Sequence, residues 1–252
     1  MKLLLTLLCS LSTACALNFT IVASYESQYA WDEQTALENA KGSTRSVRME
    51  NRIVGGTDAP DGRYPYYTYI EVLTNQGVFF CSATLIWQDM LLTAAHCLLD
   101  LQQEEGLILQ GLDAFVGLEQ TTARGDSIYR QVDEAIPHPN YNAITLENDV
   151  MLFHMVDPIL TIQPVQLNFN DAVPINFQRV DVFGFGQTTE SEVTPLPTTL
   201  QTVDVNVIPF ADCNDANSFD GEINNDLMIC AGIPAGGRVS PAMKYRSFMH
   251  TL

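Results

Sequence analysis

Two side chains in this sequence have the type and setting for acid–base work. His96 ends the run Leu92-Thr93-Ala94-Ala95-His96 and is followed by Cys97. Asp149 stands in Asn148-Asp149-Val150-Met151-Leu152, just ahead of an apolar, strand-like stretch. A histidine changes charge near neutral pH, so it can take a hydroxyl proton and return it to a leaving amine. A carboxylate beside it would hold the imidazole in one tautomer and stabilise its cation. On residue type alone, His96 is more often a structural histidine and Asp149 a surface carboxylate, so the surrounding pattern has to decide.

Cysteine is the other reactive type, and its use depends on compartment. Lys2 precedes an apolar run from Leu3 to Leu8, extended through Leu11, and Ala14-Cys15-Ala16 puts small residues at a cleavage position. This is the pattern of an export signal cleaved after Ala16, and it is shorter than the roughly 20 apolar residues of a membrane span. Residues 1–16 read as a signal peptide, and the remainder as an exported, soluble chain. Of six cysteines, Cys9 and Cys15 leave with the signal, and Cys81, Cys97, Cys213 and Cys230 remain. An even number in an oxidising compartment favours two disulfides, with three connectivities open. None of the four lies in a Cys-x-x-Cys pair and no His-x-x-x-His accompanies them, so no metal is expected. The sequon Asn18-Phe19-Thr20, just past the cleavage point, is a candidate glycosylation site.

The elements that must carry these residues read as β-structure. Short β-branched and aromatic runs, Tyr66–Val72, Val78–Ile86, Val180–Phe185 and Leu200–Ile208, are separated by Gly, Asn, Asp and Pro clusters. Long helical periodicity is lacking, so the expected class is all-β, a sandwich or barrel, with one or two helical turns over Ala94–Leu101. Residues 17–52 are polar and mixed in charge, a leader and not a core-forming unit. The 252 residues carry 12 Lys+Arg against 30 Asp+Glu, a formal net charge of −18. Such a field repels phosphate backbones and anionic lipid, which argues against nucleic acid or a membrane surface as partner. Arg124-Gly125-Asp126 reads as a polar turn, not an adhesion tripeptide, and the carboxylates between Gly117 and Glu134 form no calcium-binding spacing.

Three motifs fall in a specific order: Arg52-Ile53-Val54-Gly55-Gly56, then Leu92-Thr93-Ala94-Ala95-His96-Cys97, then Asn148-Asp149-Val150-Met151-Leu152. Together they resemble the trypsin and chymotrypsin family of serine endopeptidases. The likeness continues in Cys81-Ser82-Ala83-Thr84-Leu85-Ile86, His138-Pro139-Asn140-Tyr141, Gly184-Phe185-Gly186 and Met228-Ile229-Cys230-Ala231-Gly232. It runs from Arg52 to about Arg238, and Phe185 replaces the commoner tryptophan between its glycines.

The resemblance implies two six-stranded antiparallel Greek-key barrels, the second incomplete in this chain. It implies a Ser-His-Asp triad with His96 as base and Asp149 as its orienting carboxylate, and it calls for no cofactor. Cys81 would pair with Cys97, closing the loop that bears the histidine, and Cys213 with Cys230. The Arg52–Ile53 bond matches the family's activation site, where cleavage frees an α-amino group that pairs with a buried aspartate. Residues 17–52 would then be a propeptide and residues 53–238 the protease domain. The implied partners are protein or peptide substrates and a protease that cleaves after Arg52, acting on a secreted monomer.

The pattern departs from the family near its end. The family's nucleophile lies in a Gly-Asp-Ser-Gly-Gly segment, and here the chain reads Gly236-Gly237-Arg238-Val239-Ser240-Pro241 and runs to Leu252. Ser240 and Ser247 lack the flanking glycines that shape an oxyanion hole, and Pro241 offers no N–H. Val-Ser is what a splice-donor consensus spells in frame, so residues 239–252 are expected to be a non-family tail, translated from an intron. The chain is thus read as a secreted serine endopeptidase zymogen by family, inactive as this literal sequence. The alternative is a non-catalytic protease homologue that acts as a binding or decoy module, and a third is a fragment without a stable fold.

Overall fold

Alternation builds the first half of the molecule. In Gly77–Trp87 the side chains of Phe79, Cys81, Ala83 and Leu85 are buried while Val78, Phe80, Ser82 and Ile86 are less so, the period-two pattern of a strand with one face on a core. The computed structural model describes residue 53 and residues 55–170, 172–186, 188, 196–216 and 219–232. The signal segment, Asn18, the leader with Arg52, and the tail with Ser240 and Ser247 lie outside the described residues.

Six strands close on themselves: β2 (Tyr67–Thr74), β3 (Gly77–Trp87), β4 (Met90–Thr93), β5 (Leu109–Val116), β6 (Ile128–Pro137) and β7 (Met151–Met155). They form an antiparallel barrel in the order β2-β3-β4-β7-β6-β5. Its interior is filled by Ile70, Leu85, Leu91, Ala114, Val116 and Phe153, none with any measurable exposure. Closure leaves no open edge, so every ladder hydrogen bond of the barrel is made within it. One short helix, α1 (His96–Gln102), follows β4, where one or two helical turns were expected.

A second, partial sheet is built around β9 (Gln201–Val207). It pairs along its length with β8 (Arg179–Gly184), at its start with β1 (Thr57–Asp58), and at its end with β10 (Ala231–Gly232). Between Val207 and Cys230 the chain makes a second short helix, α2 (Phe210–Cys213). The mostly-β architecture, one closed six-stranded barrel and one partial sheet, is that of the trypsin-like fold expected from the resemblance.

The two parts meet on an aromatic cluster. Tyr64, Tyr67, Tyr69, Leu118, Phe185 and Leu200 bury one another. Phe183 stacks on Tyr64 at 4.1 Å between centroids, and Phe185 packs 5.7 Å from both Tyr67 and Tyr69. Phe185, the departure from the family's commoner tryptophan, therefore serves as an inter-sheet packing residue. Burial of this cluster pushes the Tyr69 hydroxyl up to about 12, reinforced by the Glu71 charge and opposed by Arg124, and raises that of Tyr67 as well. Arg124 lies over Phe115 at 5.0 Å and pairs with Glu71 at 2.7 Å, so the Arg124–Asp126 turn has its arginine turned onto the barrel.

Candidate active site

The ladder between β4 and β7 delivers the two candidate residues to one place. Thr93 pairs with Met151, the last register pair of that ladder. The chain leaves β4 through Ala94 and Ala95, both buried, and turns into α1 at His96. On the other strand Asp149 sits just before β7 begins. Because the strands are antiparallel, the exit of one lies beside the entry of the other.

Asp149 uses both carboxylate oxygens on the same residue. Its Oδ2 lies 2.6 Å from His96 Nδ1, and its Oδ1 accepts the His96 backbone N–H at 2.9 Å. A short contact to a charged acceptor is the strong kind of hydrogen bond, and the second bond fixes the carboxylate's rotation. The His96 side chain is 5% exposed and that of Asp149 20%, so the pair is shielded but reachable. With Nδ1 donating to Asp149, Nε2 is left as the basic nitrogen of the neutral ring.

Four further ties hold these residues. Cys81 and Cys97 are joined, which fastens α1 to β3 one residue past the histidine. Tyr141 donates its hydroxyl to Asp100 on α1 at 3.0 Å, and the His138 N–H donates to Val150 O at 2.9 Å. Asn148 adopts a left-handed conformation, φ 55°, and its side-chain amide donates to Asn140 O at 3.0 Å. The roles of Tyr141, Asp100 and Asn148 were not drawn from the sequence. An asparagine directly before the aspartate was the one available signal, because Asn tolerates left-handed backbone better than most residues.

The remaining candidates fall as follows. Cys213 is joined to Cys230, the second of two disulfides among the described residues. Ile53 is buried, 4% exposed, with the Gly56 N–H donating to its carbonyl at 2.9 Å. Among the described residues, one group has metal-ligand spacing: Cys81, His96 and Cys97, with ligand atoms within 4.8 Å of one another. Its two sulfurs are bonded to each other and offer no thiolate, so it does not have the chemistry of a zinc site.

A family model described as Trypsin matches residues 53–242. The chain belongs to the trypsin family. It is 34% identical over 194 residues to Serine protease 1 of Rattus norvegicus, spanning 76% of this chain and 71% of the rat protein. It is 32% identical over 193 residues to Trypsin-1 of Astacus astacus, spanning 75% of this chain and 78% of the crayfish protein. Anionic trypsin of Canis lupus familiaris is 31% identical over 192 residues, spanning 76% of this chain and 71% of that one. Among solved structures, one described as "Structure of GrC" superposes with a TM-score of 0.62 at 27% identity, covering 71% of this chain and 75% of that one. Trypsin-family proteases act on proteins and peptides, and the His96–Asp149 contact lies in the matched region. Among the described residues no helix is long and apolar enough to cross a membrane.

Proposed function

We propose that His96 and Asp149 are the acid–base half of a secreted, trypsin-like serine endopeptidase, made as a zymogen and activated by cleavage after Arg52. The observation that carries this reading is the double bond from one carboxylate to one histidine, on Nδ1 at 2.6 Å and on the backbone N–H at 2.9 Å. In the reaction, His96 Nε2 takes the proton of a serine hydroxyl as its oxygen attacks the peptide carbonyl, then gives that proton to the leaving amine. Asp149 keeps the ring in the tautomer with Nε2 free and balances the positive charge while the proton is held. Ile53, which cleavage after Arg52 would make the new N-terminal residue, is 4% exposed.

The 252-residue sequence contains no Gly-Asp-Ser-Gly-Gly segment. An acyl-enzyme needs a nucleophile and oxyanion donors beside this base and its orienting carboxylate. That same observation favours a second reading, a non-catalytic homologue whose barrel surface serves as a binding or decoy module. Sequencing the full-length transcript through the Arg238 codon separates the two. The protease reading expects Arg238 to be joined to Asp-Ser-Gly-Gly codons. Transcripts that all run through Val239–Leu252 to a stop would overturn it and leave the binding module.

A further inference from the structure

Asp149 is held at the end of the Asn142–Asp149 loop, in which the Asn142 side-chain oxygen accepts the N–H groups of Ile144 at 2.9 Å and Thr145 at 3.3 Å. Between Asn142 and Asp149 two non-glycine residues are left-handed, Leu146 at φ 56° and Asn148 at φ 55°. Asn tolerates this backbone, whereas at Leu146 it persists only where the surroundings over-determine it. Within the loop, the Leu146 N–H donates to Asn142 O at 2.7 Å and the Asn142 N–H donates to Glu147 O at 3.0 Å. From outside the barrel comes one more contact: Asn224 Nδ2 donates to Glu147 Oε1 at 2.7 Å across 77 positions of sequence.

Asn224 is itself rigidly framed. It lies in the loop closed by Cys213–Cys230. The neighbouring Asn214 clamps Ile223 by both backbone groups, accepting its N–H at 3.0 Å and donating to its carbonyl at 3.1 Å. The Asn224 carbonyl accepts the N–H of Leu227 at 3.1 Å and of Met228 at 2.9 Å. Its side-chain oxygen accepts the Asp226 N–H at 3.1 Å, which orients the amide so that Nδ2 faces Glu147.

We propose that Asn224 is a positioning residue: through Glu147 it holds the Asn142–Asp149 loop in the conformation that aims Asp149 at His96. The disulfide-closed loop beyond the barrel thereby sets the geometry of the acid–base pair. This rests on the reading of His96 and Asp149 given above, and it concerns what aligns them.

The test needs no catalysis. The full chain is labelled with ring-15N histidine, and the signal of His96, one of four histidines, is assigned by its loss in His96→Gln. A ring Nδ1–H donating over 2.6 Å to a carboxylate resonates far downfield. Asn224→Ala and Glu147→Ser are each expected to lose that signal while the amide spectrum of the barrel strands stays in place. Glu147→Gln, which keeps an acceptor oxygen, is expected to retain it. The double variant should lose no more than either single one, because both break the same bond. If Asn224→Ala does not fold, Glu147→Ser decides, since it leaves the turn around Asn224 intact. A downfield signal present in the wild type and unmoved in the decisive variant would overturn the positioning role alone. A wild type without that signal, unchanged by Asp149→Asn, would overturn the acid–base reading and this proposal with it.

Discussion

Thr93 and Met151 face each other at the end of the β4–β7 ladder, and that pairing fixes the distance between the residues that follow one and precede the other. His96 comes three positions after Thr93 and Asp149 two before Met151, so their 2.6 Å contact is a consequence of register. A slip of one residue would turn Met151, 1% exposed, away from the core and move Asp149 by about 3.3 Å. The hydrophobic pattern of β7 thus guards the geometry of the site.

Asp149→Ala strips two His96 donors of their acceptor. Buried donors left unpaired cost about 1–3 kcal/mol, so urea unfolding should show a loss in that range with an unchanged slope. In a chain completed with a nucleophile, Asp149→Asn is expected to lower kcat about 10^4-fold, the loss typical of this family's triad. Unaltered stability in Asp149→Ala would mean that the two hydrogen bonds are not made in solution.

Gly56→Ala has no room. A Cβ there would stand 2.7 Å from Ile53 Cγ2 and 3.0 Å from Ile53 O. Overpacking of this kind costs about 1–3 kcal/mol, to be read from chemical denaturation. In an Ile53→Ala background the Cγ2 contact is gone, and the same substitution should cost less. Equal costs in both backgrounds would place Ile53 elsewhere.

The aromatic cluster predicts a loss of stability at high pH. Tyr69 ionises at about 12 in the folded chain against an ordinary 10.0, with Tyr67 shifted in the same direction. The folded state therefore holds a proton that the unfolded state releases. The stabilisation is complete below the ordinary value and is lost as pH rises through the folded one. Unfolding measured across that window should steepen, and Tyr69→Phe should flatten the dependence. A parallel pH profile for wild type and Tyr69→Phe would contradict this.

Replacing Cys81 and Cys97 together by alanine opens a loop of 16 residues. The chain-entropy relation gives about 3 kcal/mol for a loop of this size. The denaturation midpoint should fall accordingly, and α1 should lose protection from amide exchange before the barrel strands do. Simultaneous loss in both would show that the bridge supports the whole barrel and not the histidine's helix.

What could be read from the sequence followed the reach of each interaction. The strands expected at Tyr66–Val72 and Val78–Ile86 occur as Tyr67–Thr74 and Gly77–Trp87, because β-branched and aromatic side chains between turn residues carry a local signal. β6 carried little such signal: its Arg130, Asp133 and Glu134 hide the alternation, and its place in the barrel was implied only through the resemblance. The contact between His96 and Asp149 spans 53 positions and that between Asn224 and Glu147 spans 77. No local pattern encodes the second, since Asn and Glu are ordinary surface residues until register brings them together. Phe185 was legible as a substitution but not as a packing device, because Tyr67 and Tyr69 reach it from another sheet.

We propose His96 and Asp149 as the acid–base pair of a serine endopeptidase. Labelling with a fluorophosphonate after cleavage at Arg52 tests it most directly, because the reagent reports an activated serine whatever the substrate. The 252-residue chain should incorporate none, while the same chain continued from Arg238 into Asp-Ser-Gly-Gly should label in proportion to His96 integrity. Stoichiometric incorporation into the 252-residue chain itself, at Ser240 or Ser247, would contradict the account.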